Sequence, residues 1–122
     1  MIELSTEIKT QQINEAITDK KNIKIHACDV SQLAQVEEVI GSIKTTNILV
    51  NNAGITRIGN AENTNETDFE RIFNVNVKGV YHCMHNCIPK MKTKSGNVIV
   101  NMASVASSRD YPINGGFIYL NN

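Results

Sequence analysis

The stretch Asn47-Ile48-Leu49-Val50-Asn51-Asn52-Ala53-Gly54 decides how this chain reads. A short apolar run without alternation suits a strand buried on both faces, as in a parallel sheet covered by helices. The run ends abruptly in two amides, an alanine and a glycine. An open α/β sheet places its ligand at such carboxyl ends of strands. Gly54 lets the backbone approach a neighbour closely, and the paired Asn side chains offer donors and acceptors. Asn and Gly also mark ordinary strand-to-loop exits, so the octet alone leaves both readings open.

Outward from this strand the chain alternates. Towards the N-terminus, Ser31 is placed to cap a helix striped by Leu33, Val36, Val39, Ile40 and Ile43. Before it, the run from Ile23 to Cys28 alternates like a strand with one face less buried. The region from Leu4 to Thr18 reads as a helix with Leu4, Ile8, Ala16 and Ile17 as its apolar positions. Towards the C-terminus, Thr56 to Asn63 is expected to be a loop. A long helical region follows, with Phe69, Ile72, Phe73, Val77, Val80, Tyr81, Met84, Ile88 and Met91 at spacings of three and four, and Pro89 close to its end. Ser95-Gly96 makes a turn into the apolar strand Val98-Ile99-Val100, after which Ala103 to Ser108 forms a small-residue loop. The order α-β-α-β-α-β predicts an α/β fold: a partial Rossmann-like, doubly wound parallel sheet of about three strands with flanking helices, in one domain over residues 1–122.

Composition narrows the function. Among 122 residues, 12 basic side chains balance 12 acidic ones, so no net field favours nucleic acid or an anionic membrane as partner. The three cysteines, Cys28, Cys83 and Cys87, include no CxxC pair, which points to reduced thiols in a cytoplasmic compartment. No apolar stretch approaches a membrane span, and the N-terminus lacks the regions of a signal peptide. His82-Cys83-Met84-His85-Asn86-Cys87 resembles a metal cluster, but His26 sits on a separate strand and no further ligands are evident. No metal site is expected, and these residues read as a helix face at a packing or dimer contact.

A family resemblance becomes specific when four elements are taken together. Asn51-Asn52-Ala53-Gly54 resembles the NNAG motif of the short-chain dehydrogenase/reductases, and with Ile55-Thr56-Arg57 the 3-oxoacyl-(acyl-carrier-protein) reductase branch. Cys28-Asp29-Val30 closes the preceding strand as the family's DV pair does. Asn76-Val77-Lys78-Gly79 resembles its N-x-x-G element, and the segment from Ser95 to Ser104 resembles the strand that delivers the catalytic serine. The intervals between these elements fit the family. The resemblance implies hydride transfer between NAD or NADP and a small-molecule carbonyl or alcohol. It implies adenine contacts from Asp29 and Val30, and a nucleotide cleft lined by Asn52, Ala53 and Gly54. Ser104 would hydrogen-bond the substrate oxygen, Tyr119 would give it a proton, and Asn76 would hold a water in the proton relay. It also implies a homo- or hetero-oligomer through the long helix near Asn76. Bland alternatives stand beside these roles: Asp29 as a helix cap, Ser104 as a small loop residue, and Tyr119 as unrelated to the family's tyrosine.

Two departures shape the expectation for this chain. The family's lysine, four residues after its tyrosine, would fall one place past Asn122, and the Ser104-to-Tyr119 interval is a residue or two longer than usual. The Gly-rich turn that meets a pyrophosphate at a helix N-terminus is not found. In the order 3-2-1-4-5-6 the present strands would be 3, 4 and 5, with two places between the first and second of them. The reading is of an internal family fragment expected to bind NAD(H) or NADP(H) weakly or not at all. Two functions follow: an NAD(P)-dependent oxidoreductase in truncated form, or a catalytically inactive fragment that pairs with a full-length relative.

Overall fold

In a computed structural model the apolar runs resolve into two pairs of parallel strands braced by helices. The structure describes residues 2–5, 23–58, 62–92, 95–103 and 117–118. Strand β1 (Ile2–Ser5) runs parallel to β2 (Lys24–Ala27), with Ile2 opposite Lys24 and Ser5 opposite Ala27. This corrects the helix expected from Leu4. Ile2 and Leu4 alternate with Glu3 and Ser5, a period of two, and pairing with β2 supplies the strand's hydrogen bonds. Residues 6–22, which hold the rest of that expected helix, lie outside the described residues.

Strand β3 (Ile48–Asn51) runs parallel to β5 (Val98–Asn101), with Ile48 opposite Val98 and Asn51 opposite Asn101. Between them in sequence, the two-residue strand β4 (Arg57–Ile58) pairs antiparallel with β6 (Phe117–Ile118), where only a loop is expected. The two parallel pairs form separate sheets. In the doubly wound order β1 and β2 take places 2 and 3, and β3 and β5 take places 4 and 5. One strand place therefore lies between the pairs, where the sequence suggests two.

Helix α1 (Leu33–Ser42) buries Val36, Val39 and Ile40. Ser31 does not cap it. Asp29 Oδ1 accepts from the Ser31 amide at 2.9 Å and the Asp29 carbonyl from Gln32 N at 2.9 Å, so the chain completes a turn before the helix begins at Leu33. At its far end Lys90 Nζ donates to the carbonyls of Ile40 at 2.7 Å and Ile43 at 2.6 Å. A cation there satisfies carbonyls that a helix terminus leaves over and complements its dipole.

Helix α2 (Glu66–Phe73) starts at Asn65, whose side chain accepts from Asp68 N at 2.8 Å. Acidic Glu66 and Asp68 suit its N-terminal turn, and Asp68 pairs with Arg57 of β4. A π-helical turn (Asn74–Lys78) then leads without a break into α3 (Gly79–Met91). The core joins Cys28, Val30, Val36, Val39, Ile40, Cys83, Cys87 and Met91, with Ile43, Leu49 and Val75 packed against it. Burial of β3 and β5 on both faces does not hold. Ile48 is 65% exposed and Val50 54%, and Val98 and Val100 beside them are exposed too. The core gathers on the Leu49 side, and the opposite face is open among the described residues.

Candidate active site

The site begins where β3 and β5 end. The two strands carry the same pattern, Asn47-Ile48-Leu49-Val50-Asn51 and Asn97-Val98-Ile99-Val100-Asn101, and are tied at both ends by asparagines. Asn51 Nδ2 donates to Asn101 Oδ1 at 2.8 Å, and Asn47 Nδ2 to Asn97 Oδ1 at 3.3 Å. Asn97 also donates to the Met91 carbonyl, and Met102 N donates to Asn51 O at 2.9 Å. A one-residue slip would break both side-chain pairs, so they fix the register. The two strands therefore release Asn52-Ala53-Gly54 and Met102-Ala103 side by side.

Asn76, only 6% exposed within the π-helical turn, grips the first of these exits. Its Nδ2 donates to the Ile55 carbonyl at 2.9 Å, and its Oδ1 accepts from the Ile55 amide at 2.9 Å. A carboxamide matched to the amide and carbonyl of one residue in this way copies a strand pairing with one side chain. A methyl group at Gly54 would meet Asn76 Oδ1 at 3.7 Å, an ordinary contact, so packing among the described residues does not demand a glycine there. Asn52, Ala53 and Gly54 are exposed at this edge.

Three residues further on, the same helix grips the end of β2. A methyl at Gly79 would lie 2.7 Å from Val30 Cγ2, so only glycine lets α3 come this close. His82 Nδ1 meets the Val30 carbonyl at 2.9 Å. Asp29, exposed beside buried Val30, has its backbone amide on Gln35 Oε1 at 2.8 Å. The segment from Asn76 to His82 spans six helical steps, about 9 Å at ~1.5 Å per residue. It thus connects the carboxyl ends of two separate sheets.

Of the residues singled out from sequence, Asp29, Val30, Asn52, Ala53, Gly54 and Asn76 fall at these two strand ends. Ser104 and Tyr119 lie outside the described residues. Reasoning from sequence missed Ile55, Asn101 and the two grips of α3. The repeated Asn-bracketed pentads were a visible signal for Asn101; His82 was read as part of a helix face at a packing or dimer contact, without its carbonyl partner. Among the described residues no group of three or more His, Cys, Asp or Glu side chains could hold a metal, and no helix is long and apolar enough to cross a membrane.

The thiols are free and set in the core. Burial pushes Cys83 up to about 12, helped by the nearby Cys87 and Cys28. Burial also raises Cys28, with Asp29 and Glu38 adding to it. In Cys87 the rise from burial is partly offset by the Thr46 hydroxyl and the Lys90 charge. Such thiols stay protonated and unreactive at neutral pH.

The chain resembles known proteins in sequence and in fold. The chain is similar to 3-oxoacyl-[acyl-carrier-protein] reductase FabG of Staphylococcus aureus, 26% identical over 113 residues, covering 92% of this chain and 46% of that protein. It is 31% identical over 105 residues to dehydrogenase/reductase SDR family member 6 of Aquarana catesbeiana, covering 86% of this chain and 42% of that one. The chain thus spans less than half the length of these relatives. Among solved structures, serine dehydrogenase from Escherichia coli superposes with a TM-score of 0.77 at 28% identity, covering 90% of this chain and 53% of its own. A closed form of serine dehydrogenase complexed with NADP+ gives 0.78 at 28% identity, covering 90% of this chain and 46% of that one. Short chain dehydrogenase sequences match from residue 3 to residue 119, across both parallel pairs and the helix that links them, and the chain belongs to that family.

Proposed function

We propose that this chain is part of an NAD(P)-dependent oxidoreductase, one that transfers hydride between a nicotinamide cofactor and a small-molecule carbonyl or alcohol. The observation that carries the reading is the double grip of α3, Asn76 on Ile55 and His82 with Gly79 on Val30. It ties Asp29-Val30 and Asn52-Ala53-Gly54 to one helix, at carboxyl ends of strands, where an open α/β sheet takes a nucleotide. The residues present fit such a group. Gly54 has no packing reason among the described residues, and Asn52 and Asp29 are exposed.

In this reading Asp29 and Val30 contact the adenine side, and Asn52, Ala53 and Gly54 line the cleft. Bound there, the cofactor supplies the hydride. Asn76 holds the loop after Gly54 in place. Each end of its carboxamide keeps one further hydrogen-bonding site, the capacity that a relay water would use. Ser104 donates a hydrogen bond to the substrate oxygen as negative charge grows on it, and Tyr119 delivers the proton. A structure with NADP+ bound to a relative supports the cofactor class, without choosing between NAD and NADP.

A second reading is favoured by the open face of Ile48, Val50, Val98 and Val100. An apolar surface of this kind marks an interaction site, and the chain would then act as an inactive partner of a longer relative. One experiment separates the two. NADH and NADPH oxidation is followed with a panel of ketones for the 122-residue chain, for a version extended at both ends by family sequence, and for the chain mixed with a full-length relative. Turnover by the chain or its extension, abolished by Ser104→Ala, supports the oxidoreductase. Lack of turnover in both, with a stable complex in the mixture, supports the partner.

A further inference from the structure

We propose that His82 is a positioning residue for the turn Asp29-Val30-Ser31, acting through the Val30 carbonyl on the carboxylate of Asp29. The inference rests on the reading that Asp29 faces the adenine. The turn provides for most of its own polar groups: Asp29 N goes to Gln35, Asp29 O takes Gln32 N, and Ser31 N goes to Asp29 Oδ1. The Val30 carbonyl is met from elsewhere, by His82 Nδ1 at 2.9 Å across a sequence separation of 52 residues.

A carbonyl only accepts, so Nδ1 must carry the proton, and this fixes both tautomer and ring orientation. His82 and Val30 are both buried, so removing the donor leaves a carbonyl that water does not readily reach. Gly79 lies three residues before His82, on the same helix face, and its missing side chain sets the depth at which Val30 seats. Helix α3 thus fixes the Val30 peptide in depth through Gly79 and in direction through His82. Asp29 hangs from the adjoining peptide, with its carboxylate aimed by Ser31 N. A rotation at Val30 would carry Asp29 with it.

The test compares wild type with His82→Asn, His82→Leu and His82→Gln. An Asn side chain places an amide nitrogen at the Nδ1 position, whereas Leu has no donor and Gln places its nitrogen near that of Nε2. Two quantities are read by NMR: amide exchange at Asp29 and Ser31 against Val50 and Ile99, and the affinity for 5′-AMP. Expected is exchange at the turn roughly tenfold faster in His82→Leu and His82→Gln, with 5′-AMP bound about tenfold more weakly, and near wild-type behaviour in His82→Asn. Uniform loosening of all four amides in both Leu and Gln variants, or an Asn variant as impaired as Leu, would overturn the inference. If wild type binds no 5′-AMP, the adenine reading of Asp29 falls, and the exchange comparison alone decides whether His82 holds the turn.

Discussion

Asn76 spends both ends of one carboxamide on the amide and carbonyl of one residue, and its substitutions should separate by chemistry rather than by size. Asn76→Ala leaves the Ile55 amide and carbonyl without these partners and is expected to cost about 1–3 kcal/mol in urea unfolding. Asn76→Asp keeps an acceptor for the amide but turns an oxygen towards the Ile55 carbonyl, and should cost more. Equal losses in the two variants would count against the double bond. The thiols make a second prediction at this scale. Cys83 is raised from 9.0 to about 12 in the folded chain, so unfolded chains ionise first as pH climbs. The stability held by the protonated thiol is full below pH 9 and drains away between there and about 12. The melting temperature should therefore fall across that window more steeply in wild type than in Cys83→Ala. Alkylation of the native thiols at pH 8 should be slow and limited by unfolding. That Asn76 and Gly54 lie together at the end of β3 was legible from motif and spacing. What Asn76 touches was not, because its partner is a backbone peptide, and any residue at position 55 other than proline would offer the same one.

Helix α3 and helix α1 each carry a glycine, and the two should respond to alanine with opposite signs. At Gly41 a methyl meets nothing within 4 Å among the described residues, so Gly41→Ala should stabilise by about 0.5–1 kcal/mol through helix propensity. At Gly79 the same gain is outweighed by a methyl 2.7 Å from the stiff Val30 side chain, and a net loss of about 1–2 kcal/mol is expected. Thermal melts of the two variants check both signs at once. The elements themselves were mostly legible. Strands at 24–27, 48–51 and 98–101 and the long helix follow from apolar runs and three-and-four spacing. The errors came where few residues carry the signal. Ile2 to Ser5 offers four residues of alternation, too few to oppose a helical stripe, and the partner that makes it a strand lies some twenty residues on. Ser31 is a good cap by type, but the turn held by Asp29 delays the helix to Leu33, which leaves Gln32 at the cap position and Ser31 one residue too early.

At the scale of the whole molecule, apolar strand composition predicted burial that the described residues do not provide. A sequence shows that a side chain is apolar; it cannot show whether the layer that covers it is at hand. The open face of Ile48, Val50, Val98 and Val100 should bind a hydrophobic dye and drive association as concentration rises. Val50→Lys combined with Val98→Lys should lower both, read by fluorescence and by sedimentation, with the strand register kept by the asparagine pairs. The π-helical turn has a consequence of another kind. A turn of this type fits one residue more than an α-helical turn into the same full rotation. Deleting one residue from Asn74–Lys78 would let the turn relax to α while α3 kept nearly its present face towards Val30 and the core. Deleting one residue from the middle of α3 would instead turn everything after it by about 100°, carrying Cys87 and Met91 out of the core together. Between α2 and α3 the chain should therefore accept the loss of a residue that neither helix would.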